Sequence, residues 1–159
     1  MIAAAPVPAR WYHRIPPPVW MLLLFLDAYC VQNSFSWAAL VYARSIPLTV
    51  VLAIAGMALG LWGERTFHKA GTEVMPASRT NKKLVTSGPF RFTRNPMYVG
   101  VVLIALGIAF YEGTLPFLAV PVLVFLLCNF AFIPYEEAKM QAQHGDAYTD
   151  YLHHVRRWI

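Results

Sequence analysis

The sequence has 159 residues, of which 58% are apolar and only 13% are charged, against about a quarter charged in ordinary globular domains. This composition excludes an ordinary soluble domain, and the apolar residues come in blocks long enough to cross a bilayer, which takes about 20 residues per helix. We attribute the net charge of +5 to membrane topology and anionic lipid, since no RNA- or DNA-binding motif is visible. The sequence predicts a single-domain, all-α, polytopic membrane protein with about four transmembrane helices.

The first predicted elements are an arm and a membrane span. Residues 1–18 are rich in Pro and Ala and are expected to form a loosely ordered or interfacial arm, with Trp11 and Tyr12 at the headgroup level. A span is predicted over residues 19–40. It carries Asp27, and a carboxylate at that depth is costly unless it is neutralised or paired. Asp27 is therefore a candidate for the substrate site, although a helix–helix hydrogen bond or a snorkelling acid explains it equally well.

The second span is predicted over residues 46–62. Ala53, Gly56 and Gly60 share one of its faces, a small-residue pattern that lets helices pack closely. The helix is expected to continue past the membrane through His68, which we interpret as an interfacial residue.

The two cysteines, Cys30 and Cys128, lie in apolar runs and are interpreted as packing residues, with no sign of a disulfide framework or a metal site.

A polar, basic segment follows the second span, and it leads into the third. Such a long polar connection is typical of a functional loop, and we assign residues 64–95 to a cytoplasmic ligand loop. Asn95 is a favoured N-cap, and Pro96 suits a first helical position because its missing N–H would have no partner there. The third span therefore begins with free N–H donors and partial positive charge, which is a suitable site for an anion.

The third and fourth spans are predicted over residues 96–111 and 115–134, with a tight external turn between them. Two spans of this length joined by a short turn form an antiparallel hairpin. The hairpin returns Glu136 and Glu137 to the membrane face where Asn95 lies, so these acids are expected beside the basic loop.

The last segment, residues 135–159, has helical periodicity. One polar helix is expected over residues 136–144, ended by Gly145 and followed by a second helix with Asp146 as its N-cap. The second helix keeps one face apolar, formed by Tyr148, Tyr151, Leu152, Val155 and Trp158. This pattern is typical of an amphipathic helix at a membrane surface, and the two tyrosines are interpreted as packing or interfacial residues.

The distribution of Lys and Arg along the chain predicts how the protein is oriented in the membrane. Of the 13 Lys and Arg residues, only Arg44 falls on the far side of a four-span arrangement. Cytoplasmic loops carry the excess of Lys and Arg, so both termini and the central loop are expected to be cytoplasmic.

Three motifs together resemble a known family. They are Leu-Val-Thr-Ser-Gly-Pro-Phe from Leu84, Arg-Asn-Pro-Met-Tyr from Arg94, and the Glu-Glu pair that begins at Glu136 and is followed by Gly, Tyr and Tyr. Over about residues 60–158 the sequence resembles the isoprenylcysteine carboxyl methyltransferases and the related phospholipid N-methyltransferases. The resemblance implies an integral-membrane enzyme that uses S-adenosylmethionine, with Glu136 and Glu137 as the catalytic candidates.

The resemblance also implies a cofactor site. Its residues would be Lys82, Lys83, Leu84, Val85, Phe90, Asn95, Pro96, Met97, Tyr98 and Glu136. Asn95 stands where many members have His. Members that act on prenylated cysteine carry a substrate-binding Arg at the position of Phe132 here, a departure that argues against a carboxylate substrate.

The cofactor's chemistry fits these positions. Its carboxylate suits the start of the third span, its amine can pair with Glu136, and Phe90 and Tyr98 can offer aromatic faces to adenine or to the sulfonium cation. A lipophilic acceptor with an O, S or N nucleophile would enter from the surrounding lipid. Glu137 is open to three interpretations: a supporting residue, a general base, or neither.

Two alternative functions make different predictions about cofactor binding. Sterol reductases share a similar motif and bind a reduced nicotinamide cofactor, but they are much longer, with more spans. A non-catalytic membrane scaffold or lipid binder of the same fold would bind neither cofactor.

Overall fold

The computed structural model describes residues 9–35, 44–71 and 83–159. All regular elements of these residues are helical, which confirms the predicted class. Six α-helices occur in chain order: α1 (Pro17–Ser34), α2 (Ile46–Ala70), α3 (Pro96–Glu112), α4 (Leu115–Leu127), α5 (Ile133–His144) and α6 (Asp146–His154). Short 3₁₀ turns lie at Trp11–Arg14 and Gly88–Arg91, and a π turn at Cys128–Phe132 joins α4 to α5.

Proline and glycine define most of the helix boundaries. Each of α1 to α5 has Pro at its first or second position, where the fixed φ is helical and no N–H is required. The Ser45 hydroxyl also accepts from the Leu48 N–H at 3.4 Å at the start of α2. Both α2 and α3 end at glycines with positive φ, Gly71 (68°) and Gly113 (72°), a conformation that only Gly adopts without strain.

Within the described ranges, two helices are long and apolar enough to cross a membrane. They are α2, with 25 residues, and the continuous helical run Leu115–His144, with 30 residues. The predicted third span, α3, is apolar but has 17 residues, and α1 has 18. The last residues of the predicted first span, 36–40, lie outside the described residues. As predicted, α2 continues through His68.

The two adjacent helices α2 and α3 pack closely through glycines. A Cβ added to Gly56 would lie 2.6 Å from the Gly100 carbonyl oxygen, and one added to Gly107 would lie 3.1 Å from the Thr49 carbonyl oxygen. The Thr49 hydroxyl also donates to the Gly107 carbonyl at 3.0 Å. The predicted small-residue face is therefore confirmed at Gly56, whereas a Cβ at Gly60 would meet nothing within 4 Å.

The core lies between α1, α3 and the α4 run. Its completely or almost completely buried side chains include Ala105, Ala109, Val120, Val124, Cys128, Phe132 and Ile133. By contrast, α2 buries only 11% of its most apolar window and exposes Val51, Ile54 and Met57 by half or more. Exposed apolar surface on this scale is unfavourable in water and suits contact with lipid.

The tail differs from its prediction in three ways. The helix that contains Glu136 continues from α4 instead of starting separately. Asp146 is the first residue of α6, and Gly145 (φ 52°) occupies the cap position. The helix ends at His154, because Val155 is extended (φ −125°, ψ 131°), so the apolar face does not continue as helix to Trp158.

Candidate functional site

The start of α3 and the start of α5 meet at a short hydrogen bond. The Tyr98 hydroxyl donates to Glu136 Oε1 at 2.6 Å, and Tyr98 is only 7% exposed. A bond this short is typical of a charged acceptor. The α3–α4 hairpin produces the contact, as the spacing predicted, because the chain returns after a single short turn.

A π turn immediately precedes Glu136. Pro134 has no N–H, and its ring would clash with the carbonyl four residues earlier in a regular α-helix. The chain instead forms the wider turn, in which the Ile133 N–H donates to the Cys128 carbonyl. Such turns occur often at functional sites, and this one turns the side chains at its end toward α3.

His13, which the sequence did not single out, docks against this turn. The backbone N–H of Arg10 donates to His13 Nδ1 at 3.1 Å, so the ring proton belongs on Nε2, which lies 3.1 Å from the Ala131 carbonyl oxygen and donates to it. The imidazole is 4% exposed and stacks on Tyr135, with ring centroids 4.2 Å apart. The described part of the N-terminal arm is therefore ordered. Of the two predicted alternatives, a loosely ordered or an interfacial arm, the first does not describe residues 9–18, and residues 1–8 lie outside the described part of the chain.

Glu137 binds two arginines. Arg94 Nη2 donates to Oε1 at 2.8 Å, and Arg157 donates through Nε to Oε1 at 3.1 Å and through Nη2 to Oε2 at 2.6 Å. The side chains of Arg94 and Glu137 are 12% and 19% exposed. Both carboxylate oxygens are engaged, which favours a supporting role over the general-base role that the sequence left open.

Residues 155–158, which follow α6 and are here called the C-terminal strap, bind the loop ahead of α3. The Arg94 N–H donates to the Arg156 carbonyl at 2.9 Å, and Asn95 Nδ2 donates to the Arg157 carbonyl at 2.9 Å. The prediction that the Asn95 side chain caps α3 is therefore wrong, although Asn95 does occupy the cap position. The amide instead holds the strap.

The predicted cofactor residues have different environments. Val85, Phe90, Asn95, Pro96 and Tyr98 are buried, Leu84 and Met97 are half-buried, and Lys83 is exposed. Lys82 lies outside the described residues.

Two of these predicted cofactor residues pack on α2. The Phe90 ring lies edge-on to Phe67, with centroids 4.9 Å apart. The Met97 side chain lies against Gly63, so that a Cβ there would be 2.9 Å from Met97 Cγ. These two residues therefore help to fix the loop and the start of α3 on α2.

A cavity of about 360 Å³ opens between the loop and α6. It is lined by Thr86, Arg91, Ala147, Asp150, Tyr151, His154 and Val155, none of which was predicted as a site residue. This volume lies within the range of small-molecule sites, about 300–1,000 Å³.

The two tail tyrosines face the protein. Tyr148 is 4% and Tyr151 8% exposed, which confirms them as packing residues. Burial raises the pKa of both phenols above the ordinary value. Both therefore stay protonated, and the Tyr151 hydroxyl donates to the Phe90 carbonyl at 2.7 Å.

The two substrate candidates have different environments. Phe132 is completely buried, with its ring 6.4 Å from that of Tyr98 and 5.6 Å from that of His13. Asp27 is exposed on α1, whose buried residues are Pro17, Met21, Phe25 and Ala28. The structure does not bring Asp27 to the Tyr98–Glu136 contact, because its side chain lies on the other face of the helix.

The described residues form a helical fold with two helices that are long and apolar enough to cross a membrane, and its buried Tyr98–Glu136 contact joins the start of α3 to the start of α5. Comparison with protein families identifies it further: the model of the phospholipid methyltransferase family matches residues 45–147. This is more than half of the chain, and it runs from the cap of α2 to the first turn of α6. The chain belongs to the phospholipid methyltransferase family, which implies methyltransferase activity at a membrane. Neither the curated proteins nor the solved structures contain a match.

Proposed function

We propose that the protein is a multi-pass membrane methyltransferase that takes its methyl group from S-adenosylmethionine. The acceptor is a lipophilic small molecule or lipid with an O, S or N nucleophile, and it enters from the bilayer. The observation that carries the proposal is the 2.6 Å hydrogen bond from Tyr98 to Glu136, because it joins two of the three motifs on which the methyltransferase resemblance rests.

The residues present fit the cofactor's functional groups. The Glu136 carboxylate suits an ammonium group, and Tyr98 engages only one of its two oxygens in the contact above. The Nε of Arg94 is buried with no hydrogen-bond partner in the described part of the chain, a donor that suits a carboxylate. The aromatic ring of Phe132 lies 6.4 Å from that of Tyr98, and aromatic faces attract cations.

When bound, the cofactor supplies a methyl group on a positively charged sulfur. Methyl transfer is an in-line displacement, so the chain's main tasks are alignment and the exclusion of water. Tyr98 orients Glu136 through the hydrogen bond to Oε1, and the buried rings of Phe132 and His13 exclude water beside it. Glu137 holds the flanking arginines. A carboxylate or thiolate acceptor would need no general base.

Phe132 favours an acceptor without a carboxylate. A substrate carboxylate needs a cationic or hydrogen-bonding partner when it leaves water, and this position instead holds a completely buried phenyl ring. We therefore expect a neutral nucleophile, whose free lone pair accepts the methyl group.

The proposed topology has four spans with both termini cytoplasmic. The two long apolar helices support it, as does the asymmetry of Lys and Arg. Here α1 and α3 are the two shorter spans, and residues 64–95 and 135–159 form the cytoplasmic parts of one domain. The tail helix α6 would lie at the interface, with Tyr148 and Tyr151 turned toward the protein.

Ligand-dependent stability tests the cofactor. We expect S-adenosylhomocysteine to raise the unfolding temperature of the purified protein and NADPH to leave it unchanged, because a ligand stabilises only the state that binds it. Stabilisation by NADPH alone would favour a reductase, and no effect of either ligand would favour a scaffold.

Transfer of label tests the activity. The protein is incubated with a lipid extract and methyl-labelled S-adenosylmethionine. Glu136→Ala should abolish labelling while expression stays nearly normal, and the matched variant Glu64→Ala should label normally because Glu64 is exposed on α2. Full labelling by Glu136→Ala would refute the assignment.

A further inference from the structure

The C-terminal strap connects the elements of the proposed site. Its backbone accepts hydrogen bonds from the loop ahead of α3, and the side chain of Arg157 binds Glu137 on α5. We propose that Arg157 is a positioning residue that sets the distance between the start of α3 and the start of α5. The inference rests on the proposed function, because its consequence is the placement of Glu136 for the cofactor.

The backbone of Arg157 is the first part of this arrangement. Its carbonyl accepts from Asn95 Nδ2 at 2.9 Å and from the Thr93 hydroxyl at 3.3 Å. The neighbouring Arg156 carbonyl accepts from the Arg94 N–H at 2.9 Å. Three consecutive loop residues are thereby tied to two strap residues, directly before α3 begins.

The guanidinium of Arg157 is the second part. It binds Glu137 through two nitrogens, a fork geometry that fixes orientation as well as distance. It also reaches Asn129 Oδ1 at 3.5 Å, where Trp158 Nε1 donates at 3.0 Å. One residue therefore contacts the loop, the π turn and the start of α5.

Arg94 closes the connection from the other side. Its guanidinium donates to Glu137 at 2.8 Å and to the Val155 carbonyl at 2.7 Å. Glu137 is thus held between two cations from the loop and the strap, and it is adjacent in sequence to Glu136. If Arg157 is lost, Arg94 can still pair with Glu137, so we expect the fold to survive while the position of α5 relative to α3 becomes less well defined.

The test measures binding of S-adenosylhomocysteine by calorimetry to the full chain in detergent. Arg157→Met removes the fork at similar side-chain length and should weaken binding at least tenfold. Arg157→Lys keeps the charge but loses the bidentate geometry and should give an intermediate affinity. A purely structural role would lower the melting temperature of these variants without this graded order of affinities.

Arg44→Met is the matched control. Arg44 Nε donates to the Glu112 carbonyl at 2.9 Å, where α3 ends, so this variant loses an arginine hydrogen bond at the opposite end of that helix. It should lower stability slightly and leave the affinity unchanged.

Five outcomes are distinguishable. The graded loss at Arg157 with an unchanged Arg44→Met supports the proposal. Binding by Arg157→Met within twofold of the parent overturns it, and so does an equal loss in Arg44→Met. If the parent itself does not bind S-adenosylhomocysteine, the proposed function fails, and the positioning role fails with it. If Arg157→Met does not fold, Arg157→Lys decides, since parent-like affinity there refutes the need for the fork.

Discussion

The close contact between α2 and α3 predicts that a side chain at Gly56 destabilises the protein. A methyl group added there would lie 2.6 Å from the Gly100 carbonyl oxygen and 2.8 Å from Ile104 Cγ1. The carbonyl belongs to the backbone of the opposite helix and cannot rotate away. Gly60, one turn along the same helix, would meet nothing within 4 Å, so Gly56→Ala and Gly60→Ala form a matched pair.

The expected magnitude follows from these distances. Ordinary contact begins at 3.4 Å, so the helices would have to separate by about 0.8 Å at Gly56. Overpacking of this kind costs about 1–3 kcal/mol. Replacing Gly with Ala inside a helix also gains up to about 1 kcal/mol, but both variants share that gain. The difference between the two variants therefore isolates the steric cost, about 1–3 kcal/mol.

Thermal unfolding in detergent, followed by far-UV circular dichroism, measures the difference. For a chain of this size, 1 kcal/mol corresponds to about 2–4 °C, so Gly56→Ala should melt at least about 2 °C below Gly60→Ala. Gly60→Ala should melt at or above the parent. Equal midpoints for the two variants would refute the close packing of α2 on α3.

Three further results are expected. Tyr98→Phe removes a hydrogen bond to a charged group, worth about 1.5–3 kcal/mol, and should weaken S-adenosylhomocysteine binding by calorimetry about tenfold or more. The control is Tyr111→Phe, which should leave the affinity unchanged because Tyr111 is exposed at the far end of α3. If Tyr98→Phe bound S-adenosylhomocysteine as tightly as Tyr111→Phe, Tyr98 would not orient Glu136. Tyr151→Phe loses the hydrogen bond to the Phe90 carbonyl and should lower the free energy of unfolding by about 1 kcal/mol. An unchanged melting curve would mean that this carbonyl accepts from another donor in the variant. Burial raises the pKa of Tyr148 and Tyr151, so the folded state keeps these protons to higher pH than the unfolded state does. The free energy of unfolding should therefore fall as the pH rises above about 10. A denaturation midpoint that stays constant above this pH would contradict the prediction.

Local chemistry made the helix boundaries largely predictable. Pro96 begins α3, as the sequence indicated, and Gly113 ends it within the predicted turn, because both residues act on their own backbone dihedrals. The side chain of Asn95 was harder to predict. Capping needs the side-chain oxygen to accept from a nearby N–H, and here the bond from Nδ2 to a carbonyl 62 residues away orients the side chain instead.

Contacts between distant segments explain the remaining differences. His13 binds a carbonyl 118 residues away, and no local periodicity or capping motif marks it in the sequence. The amphipathic pattern of the tail correctly indicated an apolar face. The pattern could not show what covers that face, because burial against protein and burial in lipid both favour apolar side chains.

The sequence by itself determined the helical class, the family resemblance and the meeting of Glu136 with the start of α3. These follow from composition, from motif residues and from a short turn between two apolar helices, all of which are local or nearly so. Only the tertiary structure decided which groups hold the two acids: Tyr98 for Glu136, and Arg94 and Arg157 for Glu137. Partner choice depends on which of many possible donors the packed helices bring within about 3 Å, and that distance is a property of the folded chain alone.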